Sequence, residues 1–393
     1  MRPSIAMMTK MNNYFSPNKI VFGNGAVSQV GKEAGKFGAK KALIVTDKGV
    51  LKAGNLKGVE ESLKAQRIDF IVFDKVEAEP PARVVDECGR LVREEGVDLV
   101  IGIGGGSSMD TAKGAALLAR NPGKVVDYAG FDKAPQRGLP KILLPTTAGT
   151  GSEVTRNFVI TDEEENTKKV IFTDFGLADV AIVDPMLTVS CPPKVTADTG
   201  MDALVHAIET FVSVNATPFS DVLAIEAISL IGEYLPIACA KGENLEARYN
   251  MALGATISGL AFGSGGLGAV HALAYVLGTE YHLSHGRTNA IMLPYVVDYN
   301  LTASPARYAR IAQAMGENID GLTNDEAAGL LVEHLFRLLE VVGIPSTLGE
   351  YGITEKALDK LVAGGMEFSR LFIPNPRNLT EADVREIYTN ALE

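Results

Sequence analysis

Five short runs rich in β-branched and other apolar residues recur through the first half of the chain: Lys41–Thr46, Asp69–Phe73, Asp98–Ile103, Lys141–Pro145 and Val180–Asp184. Each is of strand length, and the stretches between them carry the amphipathic or charged patterns of helices. Apolar runs of this kind bury both faces, so the order predicts a parallel sheet with helices on either side. The right-handed crossover rule makes a doubly wound α/β domain the natural topology. After about Val189 the texture changes. Cys191-Pro192-Pro193 is a breaker, and beyond it Val195–Val214, Phe219–Ala240, Leu245–Gly259, Asn324–Val342 and Glu355–Ala363 place apolar residues at helical spacing. The chain of 393 residues is therefore expected to divide into an α/β domain, 1–190, and an all-α helical domain, 191–393.

Composition removes several function classes. A net charge of −11 leaves no basic footprint for a phosphate backbone, which argues against nucleic acid as a partner. The three cysteines, Cys88, Cys191 and Cys239, are widely spaced and form neither a disulfide framework nor a C-x-x-C knuckle. Met1–Phe15 has no apolar core of the kind a secretory leader needs, so a cytoplasmic protein is the expectation. Leu253–Gly278 carries no formal charge and exceeds the roughly 20 apolar residues that cross a bilayer. Glycines crowd its middle, however, at Gly263, Gly265, Gly266 and Gly268, with His271 beside them. Two buried helices joined by a glycine loop fit better, and no membrane span is expected.

Two loops have the chemistry of anion binding. In Asp98-Leu-Val-Ile-Gly-Ile-Gly-Gly-Gly-Ser-Ser-Met-Asp-Thr-Ala-Lys113 a buried strand runs into Gly104, Gly105 and Gly106, then Ser107, Ser108 and a helix. Glycines allow close approach of the backbone, and the free N–H groups of a helix start point at a phosphate. Ser107 replaces the last glycine of the common dinucleotide fingerprint. The second loop, Pro145-Thr-Thr-Ala-Gly-Thr-Gly-Ser-Glu-Val-Thr155, offers hydroxyls at the end of another strand, although such hydroxyls also satisfy their own backbone.

The chain has five histidines. Asp202 and His206 stand four apart in a helical stretch, which places carboxylate and imidazole on one face, one turn apart. His271 lies in the glycine-rich stretch, and His285 precedes Gly286. Taken singly, each also reads as a helix-start charge or a hydrogen-bonded core histidine. Three imidazoles and one carboxylate suit iron(II) or zinc(II), with an open position for an alcohol oxygen. His334 reads as an ordinary helix residue, and His282 is open to either reading.

With these motifs in hand, the sequence resembles the iron-containing (group III) alcohol dehydrogenases over nearly its whole length, from Asn18-Lys-Ile-Val-Phe-Gly23 to Asn375-Pro-Arg377. Gly104–Lys113, Gly149–Thr155, Thr199–Glu209 and His271 through Gly286 carry it. The resemblance implies an N-terminal Rossmann-like domain, a helical C-terminal domain, NAD(H), and Fe2+ (or Zn2+) held by Asp202, His206, His271 and His285. It assigns diphosphate contacts to Gly105, Gly106 and Ser107 and further cofactor contacts to Thr146, Thr150, Thr155 and Lys168. Asp47 matches an acidic residue near the adenosine ribose, where a carboxylate favours NAD(H) over NADP(H). A homodimer or higher homo-oligomer is the family-based expectation.

Three departures stand out. Where many members carry a histidine that relays a proton, this chain has Tyr275, which leaves Tyr275 and His282 as relay candidates. Glu79 stands where an asparagine often contacts the cofactor. Arg156, beside Asn157, and Arg287 and Arg370 occupy places that are commonly apolar or small, and a guanidinium fork binds carboxylate or sulfonate. The expected activity is reversible conversion of a small primary alcohol to its aldehyde. The arginines suggest a substrate with an anionic tail, such as sulfoacetaldehyde or a semialdehyde. The competing reading is another NAD- and metal-dependent enzyme of this shape, a dehydroquinate synthase-like cyclase or a glycerol-phosphate dehydrogenase.

Overall fold

Alternation along the strands explains how the first half of the chain is built. In the computed structural model, which describes residues 11–165 and 167–393, nine strands form in this half: β1 (Ile20–Phe22), β2 (Lys41–Val45), β3 (Asp69–Phe73), β4 (Leu99–Gly104), β5 (Gly130–Phe131), β6 (Lys141–Pro145), β7 (Asn157–Asp162), β8 (Thr167–Phe172) and β9 (Val180–Val183). The leader reading of Met1–Phe15 falls largely outside the described residues. Six strands make one parallel sheet in the order β1-β9-β6-β4-β2-β3. Successive residues of each strand serve opposite faces. Ala42, Ile44, Ile101, Ile103, Ile142 and Leu144 enter one core, while Leu43, Val45, Val100 and Leu143 enter the other. Helices α1 (Val30–Lys36), α2 (Lys48–Lys52), α3 (Leu56–Ala65), α4 (Ala82–Glu94) and α5 (Gly106–Leu118) accompany this sheet.

The chain departs from a purely parallel α/β pattern at Asn157–Phe172. There β7 and β8 pair antiparallel, and β5 joins β8 to make a separate three-stranded sheet. Burial alternates along β7, with Phe158, Ile160 and Asp162 inside, as expected of a sheet with one solvated face.

The helices of the second half are α6 (Pro193–Val212), α7 (Pro218–Ala240), α8 (Leu245–Gly265), α9 (Ala269–Tyr281), α10 (His285–Asn300), α11 (Pro305–Ala314), α12 (Asn324–Val341), α13 (Leu358–Glu367) and α14 (Glu381–Leu392). Their starts follow from local chemistry. Proline opens α6 and α7, and Thr217, Thr323 and Thr380 accept from the exposed N–H groups of α7, α12 and α14 in capping boxes. α8 runs beyond the expected Gly259 and stops only where Gly266 takes φ +81°. The uncharged stretch Leu253–Gly278 is thereby split into two helices that bend by 109° at the break. α7 is long and apolar enough to cross a membrane by length and composition alone.

The chain separates into two compact units. One is Phe15–Cys191; the other is Pro192–Glu393 with the described residues before Phe15. In the first unit Lys113, fully buried on α5, donates to the carbonyls of Thr155 at 3.0 Å and Asn157 at 2.8 Å. Asp110, one turn earlier, accepts from Ser152 Oγ at 2.6 Å and from the Val159 N–H at 2.9 Å. These bonds stitch the threonine loop and β7 to α5. Burial pulls the Lys113 ammonium down to about 8, against the pull of Asp110 and Glu153. Lys113→Met keeps the volume but leaves two carbonyls and Asp110 without their cation. It should lower the stability of this unit by about 2–4 kcal/mol, read as an earlier urea transition by circular dichroism.

Candidate metal centre and cofactor loops

α6 is buried almost all round, yet it carries Asp198, Asp202, His206 and Glu209 at steps of four, four and three, which aligns them on one face. Each of these polar groups meets a group from α9, α10 or the turn before α10. His271 sits in the first turn of α9, and His285 opens α10 with Ser284 as its N-cap residue. Three imidazole nitrogens surround one carboxylate oxygen. Asp202 Oδ1 is 3.8 Å from His206 Nε2, 3.9 Å from His271 Nε2 and 3.7 Å from His285 Nε2. Asp202, His271 and His285 form a set whose donor atoms all lie within 4.8 Å of one another, and His206 joins it through Asp202. Ligand arms of about 2.1 Å span at most about 4.2 Å across a common ion, so the separations from Asp202 suit a divalent cation.

The protonation of His206 and Asp202 agrees with ligand chemistry, whereas the neighbouring Glu209 favours the charged form of His271. Burial pushes His206 down to about 4, so its ring is neutral near pH 7. Burial alone would raise Asp202, but the three imidazoles and Asn289 outweigh it and hold the carboxyl below its usual value. Burial also opposes a charged His271, but Glu209 outweighs it and raises the pKa. Glu209 Oε2 lies 2.6 Å from His271 Nδ1, which in the neutral ring puts the proton on Nδ1 and leaves the Nε2 lone pair facing Asp202.

Two further residues hold the arrangement. Gly286 lets α10 reach α6: a Cβ there would lie 2.1 Å from the Asp198 carbonyl oxygen and 3.3 Å from Asp202 Cβ. Asn289, one turn beyond His285, donates to Asp202 Oδ1 at 2.7 Å and has its amide nitrogen 3.2 and 3.1 Å from His271 Nε2 and His285 Nε2. Sequence reasoning passed over Glu209 and Asn289. The signal was available, since both continue a polar face at helical spacing from a candidate ligand within apolar sequence.

Aromatic rings back the imidazoles. Phe262 stacks on His206 at 4.5 Å, Tyr275 on His285 at 5.6 Å, and Phe368 lies 4.7 Å from Tyr275. Of the two relay candidates, Tyr275 is therefore beside a candidate ligand, while His282 is the exposed C-cap residue of α9 with φ +54°. The arginines fare differently. Arg287 is buried in an ion pair with Asp198 at 2.7 Å, and Arg156 pairs with Asp174 at 2.9 Å and lies over the Phe15 ring. Arg370 is exposed, just beyond Phe368. Asn157 is the first residue of β7, and its backbone carbonyl accepts from Lys113.

In the α/β unit the strand order reverses direction between β2 and β4, and ligands of such sheets bind outside the carboxyl ends of the strands at that point. Asp47 follows β2 there, and Gly104–Ser108 follows β4. Asp47 Oδ1 caps α2 through the N–H groups of Gly49 and Val50, and Oδ2 accepts from Ser108 Oγ at 3.2 Å. Gly104, at φ +152°, makes the turn, and Gly105 and Gly106 open α5. A Cβ on Gly106 would lie 3.0 Å from Thr150, so the two loops approach closely. Thr146 donates its N–H to the Gly104 carbonyl at 2.9 Å, while Thr155 is engaged by Lys113. Ser107 Oγ accepts from the Glu79 N–H at 3.1 Å, and Lys168 pairs with Glu79 at 2.7 Å. Glu79 itself holds φ +52°, a conformation that asparagine adopts more readily.

Comparison with known proteins agrees with this architecture. The model of the iron-containing alcohol dehydrogenase family matches residues 17–185, and that of the C-terminal part of the same family matches residues 196–392. Long-chain-alcohol dehydrogenase 1 of Geobacillus thermodenitrificans (strain NG80-2) is 46% identical, with 94% of each chain covered. The NAD-dependent methanol dehydrogenase of Bacillus methanolicus is 41% identical over 97% of this chain and 100% of its own. A crystal structure of a 1,3-propanediol oxidoreductase superposes with a TM-score of 0.95 at 39% identity, covering 98% of this chain and 100% of the other. Two family models that span nearly the whole sequence, with relatives and a fold of this similarity, place the chain in the iron-containing alcohol dehydrogenase family, as an oxidoreductase acting on alcohols and aldehydes.

Proposed function

We propose that this chain is an NAD(H)-linked dehydrogenase of small primary alcohols and their aldehydes, with one divalent ion held by Asp202, His206, His271 and His285. The convergence of three imidazole nitrogens on Asp202 Oδ1 at 3.7–3.9 Å carries the proposal. When bound, iron(II) or zinc(II) would serve as a Lewis acid for the alcohol or aldehyde oxygen, and the nicotinamide would carry the hydride. The chain's own residues prepare the centre. Glu209 sets the tautomer of His271, Asn289 orients Asp202, and Gly286 brings His285 to the carboxylate. Phe262 and Tyr275 lay aromatic rings against His206 and His285, with Phe368 packed behind Tyr275. In the α/β unit we assign the cofactor diphosphate to Gly105, Gly106 and Ser107 and the adenosine ribose to Asp47, with Thr146, Thr150, Thr155 and Lys168 lining the same loops. The domain limits 1–190 and 191–393, a cytoplasmic setting and a homodimer or higher homo-oligomer complete the reading.

An uncharged substrate fits this centre best. Arg156 and Arg287 already face carboxylates, and the rings around the imidazoles are aromatic. Of the three candidate arginines, Arg370 is the one left to select an anionic tail. Anaerobically purified, iron(II)-loaded protein should oxidise NADH with propanal or butanal at a higher kcat/KM than with sulfoacetaldehyde. His271→Ala should lower that rate about 100-fold or more. A preference for the sulfonate that disappears in Arg370→Ala would reverse the substrate reading.

Two variants test the assignments. Gly286→Ala should weaken zinc binding by about tenfold or more, measured by chelator competition, because α10 must withdraw from α6. Asp47→Asn keeps a side chain able to cap α2 and removes the charge. It should raise the kcat/KM ratio of NADPH to NADH on the order of tenfold, measured by initial rates with one aldehyde.

A further inference from the structure

The Asn375-Pro376-Arg377 turn lies more than 80 residues beyond His285 in sequence, yet its Asn375 and Pro376 line a small chamber beside Glu209, in which a few polar groups stand among mostly apolar walls. The chamber has about 10 Å³ open to a water molecule and is lined by Glu209, Gly268, Asn300, Tyr308, Asn375 and Pro376, among apolar residues of α6 and α10. That is about the room one water needs. Glu209 joins the chamber to the centre: Oε2 meets His271 Nδ1 at 2.6 Å, and Oε1 accepts from the Val270 N–H, also at 2.6 Å. Asn375 and Asn300 exchange a reciprocal pair of side-chain hydrogen bonds at 2.8 and 2.9 Å, and Asn375 also donates to the Arg377 carbonyl at 2.6 Å. Gly268 brings the two sides together, because a Cβ there would lie 3.1 Å from Glu209 Oε1 and 3.3 Å from Asn375 Oδ1.

Tyr308 supplies the second observation. Its side chain is 0% exposed, and its hydroxyl makes no hydrogen bond to any described protein atom, although Asn300 lies near it. A buried hydroxyl left without a partner is destabilising, because its desolvation is uncompensated. Tyr308, Glu209, Asn300 and Asn375 all line the same chamber, which is the polar environment a buried water requires.

We propose that one buried water joins Tyr308, Glu209 and Asn375 into a rigid support for His271, so that the Asn375-Pro-Arg turn is a positioning element of the metal centre. Glu209 can aim the His271 ring only if its own carboxylate is held. The Val270 N–H fixes one oxygen, and the water with its Asn375 and Tyr308 partners completes that restraint. The inference rests on the metal-site reading above.

The test is zinc affinity of the full-length protein by chelator competition, alongside the melting temperature of the metal-free protein. Asp202→Ala checks the metal site itself and should abolish binding. Tyr308→Phe and Asn375→Leu should each weaken zinc binding roughly three- to tenfold, while the metal-free melting temperature of Tyr308→Phe stays near wild type. A zinc-loaded crystal structure should show one ordered water within hydrogen-bond distance of the Tyr308 hydroxyl and Glu209, displaced in Asn375→Leu. Unchanged affinity in both variants while Asp202→Ala abolishes binding would overturn the support and leave the metal site standing. Loss of metal-free stability with no change in affinity, or a chamber without water in the zinc-loaded structure, would also overturn it. Zinc binding that survives Asp202→Ala would remove the metal-site reading on which the inference rests.

Discussion

A row of ionisable groups on a buried helix is the constraint that organises the helical half of this protein. Asp198, Asp202, His206 and Glu209 lie on one face of α6, where burial would be costly without compensating charge or hydrogen bonds. The surrounding elements supply those partners. Arg287 and Ser284 serve Asp198, Asn289 and the imidazoles serve Asp202, and His271 with the Val270 N–H serves Glu209. α9 and α10 are thereby held against α6 by specific polar contacts. Apolar packing alone is non-directional and would not define so narrow an alignment.

The same partnering explains why particular small residues stand where they do. Gly286 and Gly268 each sit where a Cβ would meet a polar atom of the cluster at 2.1 and 3.1 Å. Exchange of either glycine separates the elements that carry the donors, even though neither residue has a chemical group of its own. The Asp198–Arg287 pair similarly ties α6 to α10 one turn from Asp202 and two residues from His285. An arginine that reads in the sequence as a substrate fork is thus committed to a buried carboxylate. Only the position of Asp198 on the facing helix reveals this.

In the α/β unit the comparable constraint is the Asp110–Lys113 pair on α5. It draws the threonine loop against the glycine turn through Ser152, Thr155 and Val159. Two loops that are separate in sequence become one surface, beside the point where the sheet reverses its strand order. Thr155, whose hydroxyl was expected to face a ligand, is already shared with Lys113, while Thr150 stands over Gly106.

Much of this was legible in the residues themselves. Lys41–Val45, Asp69–Phe73 and Lys141–Pro145 are strands because their apolar runs are short and bounded, and α7 and α12 begin where threonine offers a cap. The i, i+4 spacing of Asp202 and His206 was sufficient to put them on one face, since helix geometry is local. The β7–β8 hairpin is not legible as one of the buried parallel strands, because Asn157–Asp162 alternates between a buried and a solvated face. Resemblance named His271 and His285 as ligands, but sequence chemistry alone could not bring them to Asp202. Convergence across helices depends on how closely backbones approach and where side chains point. Those are set by Gly286, Asn289 and Glu209 acting together in the folded chain. Sequence determined the elements and the donor chemistry; tertiary structure decided which donors meet, because distances between helices are not encoded in spacing along any one of them.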